Sequence, residues 1–142
     1  MPPAGRLEQR GAGRSRFAAG SDQVDTAMLK CVLEEFLQID GVNTAALIAT
    51  DGFLIDYVGS EPADKDALAA LGSCAMQFFS RTGIALDLGP VRQSVLEYGE
   101  GTVIFTQIGN EEILAVITGT DSPLGRLAYI LPKITTRVAA LI

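Results

Sequence analysis

Apolar positions recur along the chain at two different spacings, and the switches between them divide it into elements. Over 25–39, Met28, Val32, Phe36 and Ile39 share one stripe with Leu29 and Leu33. This predicts a first helix, capped by Asp22 or Asp25, with Glu34 and Glu35 on a solvated face. Val42–Ala49 is a continuous apolar run of strand length, and a second strand is expected over 53–58. Asp51-Gly52 between them predicts a two-residue type I′ hairpin turn, with positive φ at both positions.

A second helix, 64–80 with Asp64 as its cap, carries two non-polar faces. Ala67, Leu68, Leu71, Cys74, Ala75, Phe78 and Phe79 make a broad stripe that reads as core-facing. Ala69, Gly72, Ser73, Met76 and Ser80 make another, of small residues at helical spacing, which would let a second backbone come close. Burial of that face would give a reason for Gly72, which costs about 1 kcal/mol relative to alanine in a helix interior. The alternative is a bland exposed surface. Thr82-Gly83 is expected to end the helix.

An apolar connector with Gly89-Pro90 leads to a third strand, 91–98, a fourth, 102–108, and a fifth, Glu112–Thr118. The short turns between them require antiparallel neighbours. Strand four places Val103 and Phe105 opposite Ile104 and Ile108; strand five places Ile113, Ala115 and Ile117 opposite Leu114 and Val116. Such strands need cover on both sides of the sheet. Strand three, with Arg92, Gln93, Ser94 and Glu97, is polar enough for an edge, and an uncovered edge is a template for another chain. The last helix starts at Ser122-Pro123 and repeats Leu124, Leu127, Leu131, Ile134, Val138 and Leu141. Pro132 is expected to kink or break it near Ile130 and Leu131. The expected fold is α/β (α+β): an antiparallel five-stranded sheet with helices on both faces, in the order α-β-β-α-β-β-β-α.

Composition changes this picture in three places. Residues 1–22 combine Pro2, Pro3, glycines and four arginines with few large apolar side chains, and read as a disordered basic arm before a single domain, 23–142. The arm carries +2 of the net −6, which leaves an acidic domain poorly matched to nucleic acid. Apolar residues make up 48%, rich enough to suggest a surface buried against another chain. No apolar run approaches the ~18 residues of a membrane span, and 1–21 lacks the apolar core of a signal peptide. The expected location is therefore cytoplasmic. Cys31 and Cys74 lack CxxC spacing and are expected to be small buried hydrophobes.

Candidate chemistry is sparse. The chain has no histidine to serve as the usual base of a nucleophilic triad. Two cysteines without histidine do not complete a four-ligand zinc site. No GxxxxGK[ST] or GxGxxG stretch occurs; Gly11-Ala12-Gly13-Arg14-Ser15 lacks the spacing and the flanking strand. Glu34-Glu35 and Glu111-Glu112 are adjacent carboxylates that do not converge on one substrate. No catalytic, metal-binding or cofactor-binding residue is assigned, and a non-enzymatic binding module is expected.

The ordered set of Asp40-Gly41-Val42, Asp51-Gly52-Phe53-Leu54-Ile55, Leu68 and Leu71, Gly101-Thr102-Val103 and Leu114-Ala115-Val116-Ile117 resembles the Roadblock domain, also called the dynein light chain Roadblock type. Leu124-Gly125-Arg126-Leu127-Ala128-Tyr129 is similar to the third helix of prokaryotic members. The resemblance spans about residues 25–142 and implies a Roadblock/profilin-like fold. It implies a homodimer, or a dimer with a paralogous Roadblock partner, formed by edge-to-edge pairing of third strands and packing of second helices. On this chain the expected interface is Ala69, Gly72, Ser73, Met76 and Ser80 with Val91, Gln93, Val95 and Glu97. Gly72→Arg or Val95→Asp would then disrupt the dimer. The resemblance also implies binding to a small Ras-like GTPase, as activator or exchange platform, with Arg81, Arg92, Arg126 and Arg137 as candidate contacts. Two other readings are a scaffold subunit of a motor or membrane-associated complex without effect on GTP turnover, and a small-molecule sensor. The sensor would need a pocket with converging polar groups.

Overall fold

A computed structural model describes residues 22–120 and 124–141. The elements are α1 (Asp22–Glu34) with a 3-10 turn (Glu35–Gln38), β1 (Val42–Ala49), β2 (Leu54–Gly59), α2 (Lys65–Ala85), β3 (Gln93–Tyr98), β4 (Gly101–Ile108), β5 (Glu112–Thr118) and α3 (Leu124–Ala140). The five strands form one antiparallel sheet in the order β2-β1-β5-β4-β3, so β2 and β3 are its edges. Except for its last residue, the arm expected over 1–22 lies outside the described residues, as does the Ser122-Pro123 start of the last helix.

Each face of the sheet has its own core, as the two-sided strands require. Leu29, Leu33 and Phe36 from α1 and its 3-10 turn pack with Leu127, Leu131 and Val138 of α3 over Leu47, Leu114, Val116 and Ile104. On the opposite face, Ala69 and Met76 of α2 pack over Ala46, Ile48, Phe105, Ile113 and Ala115. The assignment of inner and outer residues on β4 and β5 follows the expected alternation.

Several expectations are corrected. Met28, placed on the buried stripe of the first helix, is exposed. Cys31 and Cys74 are exposed rather than buried; Cys31 lies off the buried stripe of α1, and Cys74 lies on the side of α2 away from the sheet. Of the kink or break expected at Pro132, the break does not occur: the last helix runs on as one element, and Thr135 and Thr136 donate their hydroxyls to the carbonyls of Leu131 and Pro132. The first hairpin is not a type I′ turn. Ala49 N–H donates to Phe53 O at 2.8 Å and Gly52 N–H to Ala49 O at 2.9 Å, while Gly52 alone of the Asp-Gly pair has positive φ. This is a three-residue loop closed by a glycine bulge, and it starts β2 at Leu54, one residue later than expected.

The second helix also runs past Thr82-Gly83. Asp64 caps its start, accepting from Ala67 N–H at 2.9 Å. At its end, Leu88 N–H donates to Gly83 O at 2.7 Å and Asp87 N–H to Ile84 O at 3.1 Å. That is the Schellman pattern, whose left-handed residue is normally glycine. Here it is Asp87, with φ 58, the one non-glycine residue in that region among the described residues. Gly83 is needed for another reason: a Cβ there would lie 2.1 Å from Gly89 O, where the chain folds back on the helix. Asp87→Gly is expected to raise stability by ~1 kcal/mol, since it removes the left-handed penalty without losing either bond. Urea denaturation at neutral pH checks this as a raised midpoint with an unchanged slope.

Candidate interaction surface

The open edge of the sheet is β3, and its bonding pattern determines what it offers. Gln107 N–H donates to Arg92 O at 2.8 Å. Because bonded and non-bonded pairs alternate in an antiparallel ladder, the backbone groups of Ser94, Leu96 and Tyr98 turn toward β4. Those of Gln93, Val95 and Glu97 turn outward. No hydrogen bond to these outward backbone groups occurs among the described residues. The side chains of the same three residues are exposed, with Val95 at 47%.

The expected interface residues therefore separate into two groups. Gln93, Val95 and Glu97 lie on the free edge. Val91, just before β3, is half-buried and packs into the α2-side core. The helical group is not on a free surface. Ala69, Gly72, Ser73 and Met76 are buried against the chain's own sheet. Ser80 is half-buried, and its hydroxyl accepts from Val91 N–H at 3.2 Å. Gly72 faces Phe105, whose Cε1 would stand 2.7 Å from an added Cβ. Ser73 donates its hydroxyl to Thr50 O, and Gln77 donates to the same carbonyl at 3.2 Å. The small stripe permits close backbone approach, but to the sheet of the same chain.

The middle of the large stripe of α2 is correspondingly left outside, while Leu68 packs against the α2-side core. Leu71 is 67% and Phe78 66% exposed, and Cys74 lies between them. Ile84 in the last turn, and Leu86 and Leu88 just beyond the helix, are exposed as well. Phe78 stands edge-on to Phe79, with ring centroids 6.1 Å apart. Of these, Leu71, Cys74, Phe78 and Phe79 are the ones that periodicity places in the core. Their size was the available signal: a helix lying close on a sheet needs small residues in the contact, which leaves bulky ones for another surface. Leu71 and Phe78, exposed two turns apart on one face with Cys74 between them, make an apolar stripe of the kind that marks an interaction site.

Polar groups gather elsewhere, in a groove of about 1080 Å³ beside the start of β3. Their hydrogen-bonding capacity is largely taken up within the chain. Gln77 is bonded to Thr50 O, Thr106 donates to the Gln93 side chain at 3.3 Å, and Gln107 donates to Gly109 O and Glu112 O at 3.2 Å. Among the basic candidates, Arg81 and Arg92 are exposed and make no ion pair among the described residues, whereas Arg137 is paired with Glu35. The Arg126 side chain lies outside the described residues. The hydrogen bond and then the charge of Glu61 raise the pKa of Lys65 above the ordinary lysine value. Among the described residues, no cluster of three or more His, Cys, Asp or Glu side chains is placed to hold a metal ion, and no helix is long and apolar enough to cross a membrane.

The fold recurs in known proteins. A crystal structure of a Roadblock/LC7 domain from Streptomyces avermitilis superposes with a TM-score of 0.71 at 26% identity, covering 77% of this chain and 92% of that one. Myxococcus xanthus MglB gives a TM-score of 0.74 at 17% identity, covering 80% and 90%. The gliding protein MglB of Thermus thermophilus gives 0.72 at 21% identity, covering 78% and 84%. Two uncharacterized proteins of Methanocaldococcus jannaschii are each 24% identical over 114 residues, which is 80% of this chain and 99% of theirs. The sequence profile of the Roadblock/LC7 domain matches residues 28–118, most of the described fold, and the chain belongs to that family.

Proposed function

We propose that this chain is a non-enzymatic homodimeric module that binds and regulates a small Ras-like GTPase. The observation that carries the dimer is the coincidence of two uncovered surfaces: the outward backbone of Gln93, Val95 and Glu97, and the apolar stripe of Leu71, Cys74 and Phe78. A two-fold axis at Val95 would pair Gln93 with Glu97 of the second copy and let each pair exchange both backbone bonds. It would also bring the two α2 stripes together out of water. The helical part of the interface is thus assigned to the bulky face of α2, in place of Ala69, Gly72, Ser73, Met76 and Ser80.

Family membership supports the GTPase as partner, and Arg81 and Arg92 are free to meet it. In the polar groove the side chains of Gln77, Gln93 and Gln107 already bond within the chain, which argues against the small-molecule reading. Adding the protein to its GTPase is expected to change GTP hydrolysis or nucleotide release by about tenfold, equivalent to ~1.4 kcal/mol of barrier. Single-turnover hydrolysis and labelled-nucleotide release measure both. Binding with unchanged rates would favour the scaffold reading, and no binding in any nucleotide state would sink the GTPase as partner.

A further inference from the structure

The two edges of the sheet treat their backbone donors differently. β3 pairs with β4 in unbroken register from Gln93–Thr106 to Tyr98–Gly101, and its outward N–H groups are open. In β2 the register with β1 shifts between Leu47 and Ile48, which leaves Ile55 without an opposite residue. Irregularities of this kind bend a strand away from a would-be neighbour. Ser60 N–H donates to Asn43 O at 2.9 Å, and alternation from that pair turns the backbone of Tyr57 to the free side. This outward N–H is already occupied: it donates to Oδ1 of Asp56 at 2.8 Å.

The Asp56 carboxylate is held in place. Its side chain is 18% exposed, and Oδ1 lies 3.5 Å from Nζ of Lys30 on α1. Lys65 stands 5.7 Å from the centre of the Tyr57 ring and is bridged to Glu61 at 3.2 Å. A strand arriving at β2 would bring a carbonyl oxygen toward a carboxylate that already holds the donor it needs. It would also strip water from charged groups beside the edge. Charges and irregular pairing on an edge are the ordinary means of refusing such a neighbour.

We infer that Asp56 closes the β2 edge, so that sheet growth stops after one β3–β3 pairing. The inference rests on the proposed dimer only for the number of copies joined, since the β2 cap is a property of the single chain. A chain with two open edges would assemble without closure.

The test compares the molar mass of the wild-type protein with Asp56→Asn and Asp56→Val by sedimentation equilibrium over a wide concentration range. Asparagine keeps a carbonyl acceptor for Tyr57 N–H and is expected to match the wild-type mass. Valine removes the acceptor while favouring strand, and is expected to reach about twice the wild-type mass or more. Slowed amide exchange at Tyr57 in the larger species would place the contact on β2. An Asp56→Val protein that folds and keeps the wild-type mass throughout overturns the inference. So does assembly in which the Tyr57 amide is not protected. Asp56→Ala serves the same comparison if the valine variant does not fold. A monomeric wild type would sink the dimer reading alone; the valine variant would still be expected to double in mass.

Discussion

Phe78→Asp is expected to yield a folded monomer. The ring is 66% exposed on the side of α2 away from the sheet, so the single chain loses little when it goes. In the proposed dimer the same ring occurs twice in an apolar seam with Leu71 and Cys74. A central aromatic in such a seam is worth roughly 2 kcal/mol on truncation. Two copies amount to ~4 kcal/mol, or about a thousandfold in the dimer dissociation constant. Aspartate adds the cost of removing a carboxylate from water, which pushes in the same direction. Analytical ultracentrifugation would show the monomer, with far-ultraviolet circular dichroism unchanged. A dimer that survives this substitution would remove the α2 stripe from the interface.

Gly72→Leu is expected to act on the single chain instead. Its Cβ alone would stand 2.7 Å from Cε1 of Phe105, a ring only 6% exposed and enclosed by the α2-side core. The ring has nowhere open to move, so the helix must lift from the sheet. Overpacking of this kind costs about 1–3 kcal/mol, and a leucine at a site that rejects its first carbon belongs at the upper end. Against a typical total of roughly 5–15 kcal/mol for a domain, ~3 kcal/mol is a large share. The gain in helix propensity over glycine, about 1 kcal/mol, does not offset it. Urea or thermal denaturation should show the loss. A near-neutral Gly72→Leu would mean that α2 does not pack on Phe105 as described. For Gly72→Arg, the expected disruption of the dimer is replaced by a chain that folds poorly.

The two substitutions exchange the roles that sequence spacing suggests for them. Periodicity identifies two non-polar faces on α2, and both exist. It does not identify which face meets the sheet, because spacing records direction around the helix axis and not the distance to a neighbour. That distance is set by β4, through a phenylalanine 33 positions further along the chain from Gly72. Where Phe105 fills the space beneath the helix, Gly72 leaves room for the ring and Ala69, Ser73 and Met76 pack around it, so Leu71 and Phe78 face outward. The exposed Cys74 follows from the same rotation.

What was legible in the chain's own order is considerable. The strands β1 and β5, the alternation on β4 and β5, the Asp64 cap and the edge position of β3 follow from local patterns, and the family from the resemblance of an ordered set of motifs. These depend on neighbours a few residues apart, where side-chain direction has a fixed period. The rest depended on contacts between distant segments. The hairpin loop took its three-residue form from how β1 and β2 meet, and α2 ran on through Gly83 because the chain at Gly89 returns against it. The closed state of the β2 edge needed Asp56, Lys30 and Tyr57 brought together. The sequence by itself determined that α2 would have two apolar faces and that β3 would be an edge. Only the tertiary structure decided which face of α2 is left for a partner, because steric fit to the sheet, not hydrophobicity, selects the face that is buried first.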